Sequence, residues 1–137
     1  MKTAAWQFHL QTLAAGEIAA YGDAAFIKQS DGKTYKGVSG TGYVFIGTFA
    51  ENVDASSAGP LGSVDQDVNV DFMKERTILW RANAGDITTA NRGSQAYFTD
   101  AATVTAVSSG HTKAGLILAV DATFGVAFAV DSFTSEV

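Results

Sequence analysis

The sequence predicts an all-β protein: a small β-sandwich or barrel built from two similar meander halves, preceded by an extended N-terminal arm. Three observations carry that expectation. Fourteen Gly stand against one Pro, and apolar segments of four to eight residues lie between clusters of Gly, Asp, Ser and Asn, the punctuation of short strands and turns. Long helical periodicity is missing. The first half of the chain reappears in the second, as set out below.

The arm comes first, over residues 1–14. Trp6, Phe8 and Leu10 alternate with Gln7 and His9, the period of an extended segment. Two readings stay open. The segment is either an edge strand docked on its own core or an arm that adds to a neighbour by main-chain bonds, with Trp and Phe filling pockets. A helix over Leu10 to Tyr21 has tolerable spacing, but Gly16 and the match to the second half favour a strand.

One domain is expected over residues 15–137, with a repeat of approximately 15–72 and 84–131. Ala15-Gly16-Glu17-Ile18 returns as Ala84-Gly85-Asp86-Ile87, Gly22 as Gly93, and Ala25-Phe26-Ile27 as Ala96-Tyr97-Phe98. At the same offset Tyr43 to Phe49 falls on Ala114 to Val120, and after a shift Val68 to Asp71 falls on Phe128 to Asp131. Two copies are too few for a solenoid, so the two meanders should close into one sandwich or barrel. Asp31-Gly32 and Asp100-Ala101-Ala102 mark hairpins. Tyr43 to Ile46 and Ala114 to Val120 are apolar on both faces, as strands covered from two sides are. Val64 to Met73 alternates Val64, Val68, Val70 and Phe72 with Asp65, Asp67, Asn69 and Asp71, a strand with one acidic face. Gly125 to Val130 alternates large with small, one face filling a core and the other permitting close approach. Ala55 to Gly62 occurs only in the first half, so Ser56, Ser57, Gly59, Pro60 and Leu61 form a candidate contact loop.

Composition narrows the function classes. At 47% hydrophobic and 17% charged the 137-residue chain suits a packed single domain rather than disorder. The net charge is −5 and the nine Lys and Arg are scattered, so a nucleic-acid partner is not expected. Cysteine is absent, which removes disulfides and thiolate metal sites. The start is interrupted by Gln7 and His9 and fails as a secretory signal, and no apolar stretch is long enough for a membrane span.

No residue pattern points to catalysis. Gly32-Lys33-Thr34 resembles the end of a phosphate loop, but Ile27 stands where the first Gly belongs. Asp65, Asp67, Asn69 and Asp71 resemble a calcium loop with Val70 at the turn position and Arg76 at the bidentate position, so a solvated strand face explains them better. His9 and His111 lie in different halves and read as exposed loop residues. Trp80 and Tyr97 would serve a sugar-binding site, though both also suit a core. Neither enzyme activity, cofactor, metal nor small-molecule substrate is expected.

The run Tyr43 to Ala55, the Ser/Gly loop after it and Val68 to Asp71 resemble the capsid decoration (head cement) proteins of tailed bacteriophages. Asn91 to Asp100, Thr103-Val104, Ala114 to Ile117 and Gly125 to Val130 continue the similarity, which spans roughly residues 15 to 131. The resemblance implies a homotrimer clamping the major capsid protein on the outside of the virion, after synthesis in the bacterial cytoplasm. It carries over no catalytic residue. Trp6, Phe8, His9 and Leu10, outside the matched part, are the expected capsid contacts. Another β-rich virion component, such as a tail tube, fibre or adhesin module, is the alternative.

Overall fold

The computed structural model describes residues 8–36, 40, 42–72 and 77–130, with Phe8 and His9 described through their backbone only. Among them are twelve strands: β1 (Phe8–Leu13), β2 (Ile18–Ala19), β3 (Ala24–Lys28), β4 (Thr34–Lys36), β5 (Tyr43–Phe49), β6 (Val53–Asp54), β7 (Gln66–Phe72), β8 (Ile78–Asn83), β9 (Gln95–Asp100), β10 (Thr103–Thr105), β11 (Thr112–Asp121) and β12 (Gly125–Val130). One 3-10 turn, Thr89–Asn91, precedes β9. The all-β expectation holds.

Closure happens twice. The first half forms a closed ring β1-β4-β3-β5-β7, and the second forms β8-β10-β9-β11-β12. Each ring has one parallel pair, β1 with β4 and β8 with β10, and is otherwise antiparallel. The two orders are the same when β1, β3, β4, β5 and β7 are laid on β8, β9, β10, β11 and β12. So each meander closes on itself, and the molecule holds two barrels where one was expected. Closure removes the unpaired strand edges that a lone five-strand sheet would expose.

This pairing corrects the boundary of the arm. Residues 8–13, expected outside the repeat, are strand β1, paired with β7 from Phe8 opposite Asp71 to Leu13 opposite Gln66. The counterpart of β1 is β8, also outside the repeat as the sequence draws it. The register of two later segments is corrected as well. Gly47 pairs with Phe72 as Gly115 pairs with Val130, so Gly47 corresponds to Gly115 and not to Leu118. By the same ladders Val70 corresponds to Phe128 and not to Val130. The β3 match stands, with Ile27 opposite Thr34 as Phe98 is opposite Val104.

Main-chain bonds repeat with the topology. Gly22 N–H donates to the Phe49 carbonyl and Gly93 N–H to the Ile117 carbonyl, both at 2.8 Å. The Glu17 carboxylate accepts from the Lys36 N–H at 2.8 Å, and Asp86 accepts from the Ala106 N–H at 3.2 Å. That explains why the Ala-Gly-acid-Ile signature recurs: its acid caps the strand after the hairpin in both barrels. The Ile after it diverges, since Ile87 is buried and Ile18 exposed.

Barrel interiors this narrow are filled by side chains. Leu13, Ala25, Ile46, Phe49, Val68 and Val70 fill the first. Phe98, Val104, Ile117, Val126, Phe128 and Val130 fill the second, where Ala24, Phe26 and Phe45 of the first barrel join the same cluster. Those three lie on the outer side of β3 and β5. The Phe98 ring meets Phe45 at 4.8 Å, Phe26 at 5.2 Å and Phe128 at 5.8 Å between centroids. Such ring pairs add about 0.5–1.5 kcal/mol each beyond area burial. Polar ties frame them: the Arg81 guanidinium donates to the Gly22 carbonyl at 2.8 Å, and the Thr112 hydroxyl to the Gly40 carbonyl at 3.1 Å. Burial holds Arg81 below its ordinary pKa, against the opposing charge of Asp23. The joint between the barrels thus belongs to the core of the second, while the interior of the first is a cluster of its own.

Candidate interaction surfaces

Trp6 lies outside the described residues, as do the side chains of Phe8 and His9. His9 sits in a strand opposite Val70, not in a loop as expected. Leu10 points outward from β1 and is exposed. The loop Ala55 to Asp65 joins β6 to β7 at the Leu13 and Gln66 end of β1, whereas Phe8 marks the other end. The structure therefore does not bring the two expected contact regions together.

The loop is held by a few local bonds. The Asp54 carboxylate accepts from the Ser56 N–H at 2.9 Å and from the Ser56 hydroxyl, and the Ser56 hydroxyl holds Asp54 below the usual carboxylate range. Gly59 presses on this turn so closely that a Cβ there would lie 2.3 Å from the Asp54 carbonyl oxygen. At the loop's far end Asp65 accepts from Lys33 Nζ and from the Ala15 N–H, both at 2.9 Å. Lys33 first, then that N–H, lowers the Asp65 pKa. Ser57, Pro60 and Leu61 are left exposed at the tip, with Ser56 and Gly59 half-buried beneath them.

A larger apolar surface lies on the second barrel. Ile78 pairs with Ala129 and Ala129 with Leu116, while Trp80 pairs with Ala127 and Ala127 with Ala119. The outer side of β8, β12 and β11 is thus a floor of alanines between two ridges. Ile78 (49% exposed) and Trp80 (43%) make one ridge, Leu116 (41%) and Leu118 (37%) the other. Leu118 stands out because the β11–β12 register shifts between Ile117 and Ala119, the extra residue of a bulge being pushed from the ladder. Phe124, 68% exposed, meets Trp80 edge to face at 6.0 Å. Both line a cavity of about 610 Å³ with Arg81, Asn83, Asp121 and Thr123.

The sequence pointed to part of this surface. The small face of Gly125 to Val130 and the two-sided β11 are where they were expected, whereas Ile78 and Phe124 were missed and Trp80 was read as core. The signal available was Ile78-Leu79-Trp80, apolar on both sides of a strand. Tyr97 does not line the Trp80 cavity, so the pair weighed for sugar binding does not converge.

The first barrel provides an internal control. At its corresponding positions Asn69, Asp71 and Thr48 stand for Ala127, Ala129 and Leu116, while Phe8 and Leu10 take the places of Ile78 and Trp80. Asn69 donates to Glu51 through both its N–H (2.8 Å) and its amide (3.1 Å). The same topology therefore tolerates a polar face. A second comparison shows what an apolar outer face is for: Phe26 and Phe45 are buried against the second barrel, whereas their counterparts Tyr97 and Lys113 are half-exposed. On the outer side of β3 and β5 the apolar face is the one that the second barrel covers.

Among the described residues no group of three or more His, Asp or Glu is placed to hold a metal ion. The acidic residues of β7 stay spread along its solvent side, Asp71 opposite Thr48 and Asp67 opposite Thr12. Gly32-Lys33 is the β3–β4 hairpin, with Asp31 accepting from the Lys33 N–H at 2.9 Å. The half-buried His111 turns Nδ1 to the Val107 carbonyl at 3.1 Å. Compared with known proteins, the chain matches no family model, no curated protein and no solved structure.

Proposed function

We propose that this protein decorates the outside of a tailed-phage capsid, bridging major capsid subunits as a trimer and so stabilising the shell. The observation that carries the reading is the apolar face of β8, β12 and β11, bare where the matching positions of β7 and β5 are polar. A protein whose surface departs from the needs of its own fold in this way is built for adhesion. The order of segments resembling the decoration proteins selects the capsid among adhesive roles. Leu10 and the Pro60-Leu61 loop tip, both on the first barrel, are assigned to the capsid side. Contacts of a few kcal/mol each, multiplied over the linked subunits, resist rupture without any chemistry.

The test is co-sedimentation with expanded capsids that lack the protein, followed by heating. The expected result is saturable binding at micromolar concentration, a higher rupture temperature, and weaker binding for Leu61→Asp. Absence of binding, or stacked tubes and fibres formed by the isolated protein, would overturn it.

A further inference from the structure

We infer that the outer face of β8, β12 and β11 is where a second copy of this chain docks. The inference deepens the adhesive reading by assigning this face to sister copies rather than to the shell. Three observations select that occupant.

The first is area. Ile78, Trp80, Leu116, Leu118 and Phe124 leave on the order of 450 Å² of apolar side chain bare. That is roughly half of the ~800 Å² that each partner buries in a standard interface, before any rim residue is counted.

The second is charge. The first barrel, residues 8–72, carries three lysines against eight carboxylates, a net −5, whereas the second, residues 77–130, carries Arg81, Arg92 and Lys113 against Asp86, Asp100 and Asp121, a net of zero. Copies that meet through second barrels bring neutral surfaces together and turn the acidic barrels outward. The alternative, first barrel on first barrel, opposes like charges.

The third is shape. A ridge, an alanine floor and a second ridge complement a copy of themselves, since the ridge of one copy rests on the Ala127 and Ala129 floor of the other. The arrangement suits any ring in which the second barrels gather at the axis.

Light scattering on the purified full chain between about 1 and 100 µM tests this. The expected mass is two or three times 14.3 kDa, and Leu116→Asp should return it to the monomer with its β-sheet circular dichroism and cooperative unfolding retained. Thr48→Asp, at the corresponding position of the first barrel, should leave the mass unaltered. If Leu116→Asp fails to fold, Leu118→Lys at the bulge serves in its place. A wild-type chain that stays monomeric, or a folded face variant that keeps the oligomer, overturns the inference. Capsid binding is measured separately: a monomeric wild type that still binds capsids sinks this inference alone, and an oligomer that ignores capsids sinks only the decoration reading.

Discussion

The two barrels share strand order, strand direction and capping bonds, yet they treat their surfaces in opposite ways. The first is polar and acidic over β7 and the adjoining end of β5 but apolar on the outer side of β3 and β5, where Phe26 and Phe45 enter the core of its neighbour. The second is polar on the outer side of β9 and β11 but apolar over β8, β12 and β11. The difference teaches that topology sets the interior alone. Outer faces are free to vary and record what lies against them.

The largest expected effect falls where the barrels meet. Phe98→Ala removes the ring that touches Phe26, Phe45 and Phe128 and should cost about 3–5 kcal/mol. Denaturant unfolding followed separately through probes in each barrel should show both destabilised together. Loss confined to the second barrel would mean that the joint does not couple them.

Next comes the pair Ile87 and Ile18, equal in sequence and unequal in burial. Ile87→Ala should cost about 2–4 kcal/mol, as for other fully buried truncations. Ile18→Ala should stay within about 0.5 kcal/mol, as at exposed sites. Equal costs would contradict the divergence of the two caps.

Thr34 sharpens the comparison in the opposite direction. Its buried hydroxyl has no hydrogen-bond partner among the described residues, and Val104 occupies its place in the second barrel. Thr34→Val should stabilise the protein by about 1 kcal/mol, the cost of burying an unpaired hydroxyl being about 1–3 kcal/mol. A destabilised variant would place an unseen acceptor at that hydroxyl.

The smallest effect is the pH dependence of the β3–β4 hairpin and the Asp65 contact in the first barrel. Tyr35 donates to Asp31 at 2.7 Å, which, with some burial, pushes its pKa up to about 12. The folded-state value is raised, so its contribution is complete below the ordinary tyrosine value of about 10 and fades as pH climbs beyond it. Asp31 and Asp65 are shifted the other way. Their contribution is present at neutral pH and fades as pH falls through the carboxylate range. Amide exchange should show the β3–β4 hairpin and the loop around Asp65 loosening at both extremes.

Much of this was legible beforehand. Period-two patterning located β7 and β12, runs apolar on both faces located β5 and β11, turn residues marked both hairpins, and the unmatched Ala55 to Gly62 marked the inserted loop. Ring closure was not legible, because an alternating pattern says which face is buried and nothing about which strand lies alongside. The register slips have a definite cause. The chain from Ile27 to Gly47 is three residues longer than its counterpart from Phe98 to Gly115, while the bulges at Ile46 and Ala114 match and cancel, so a constant offset drifts across the turns. The face around Trp80 was hidden because an apolar residue in a strand is read as core until the neighbouring element is known.

In each barrel the opening strand is hydrogen-bonded to the final one, β1 to β7 and β8 to β12. During translation the first ring can therefore shut only once Phe72 has left the ribosome, and the second only after Val130. Between those moments the finished first ring carries Phe26 and Phe45 uncovered, an adhesive patch meant for a module still being made. Synthesis speed across residues 77–130 then sets how long a nascent chain is open to mispairing with its neighbours on the same message.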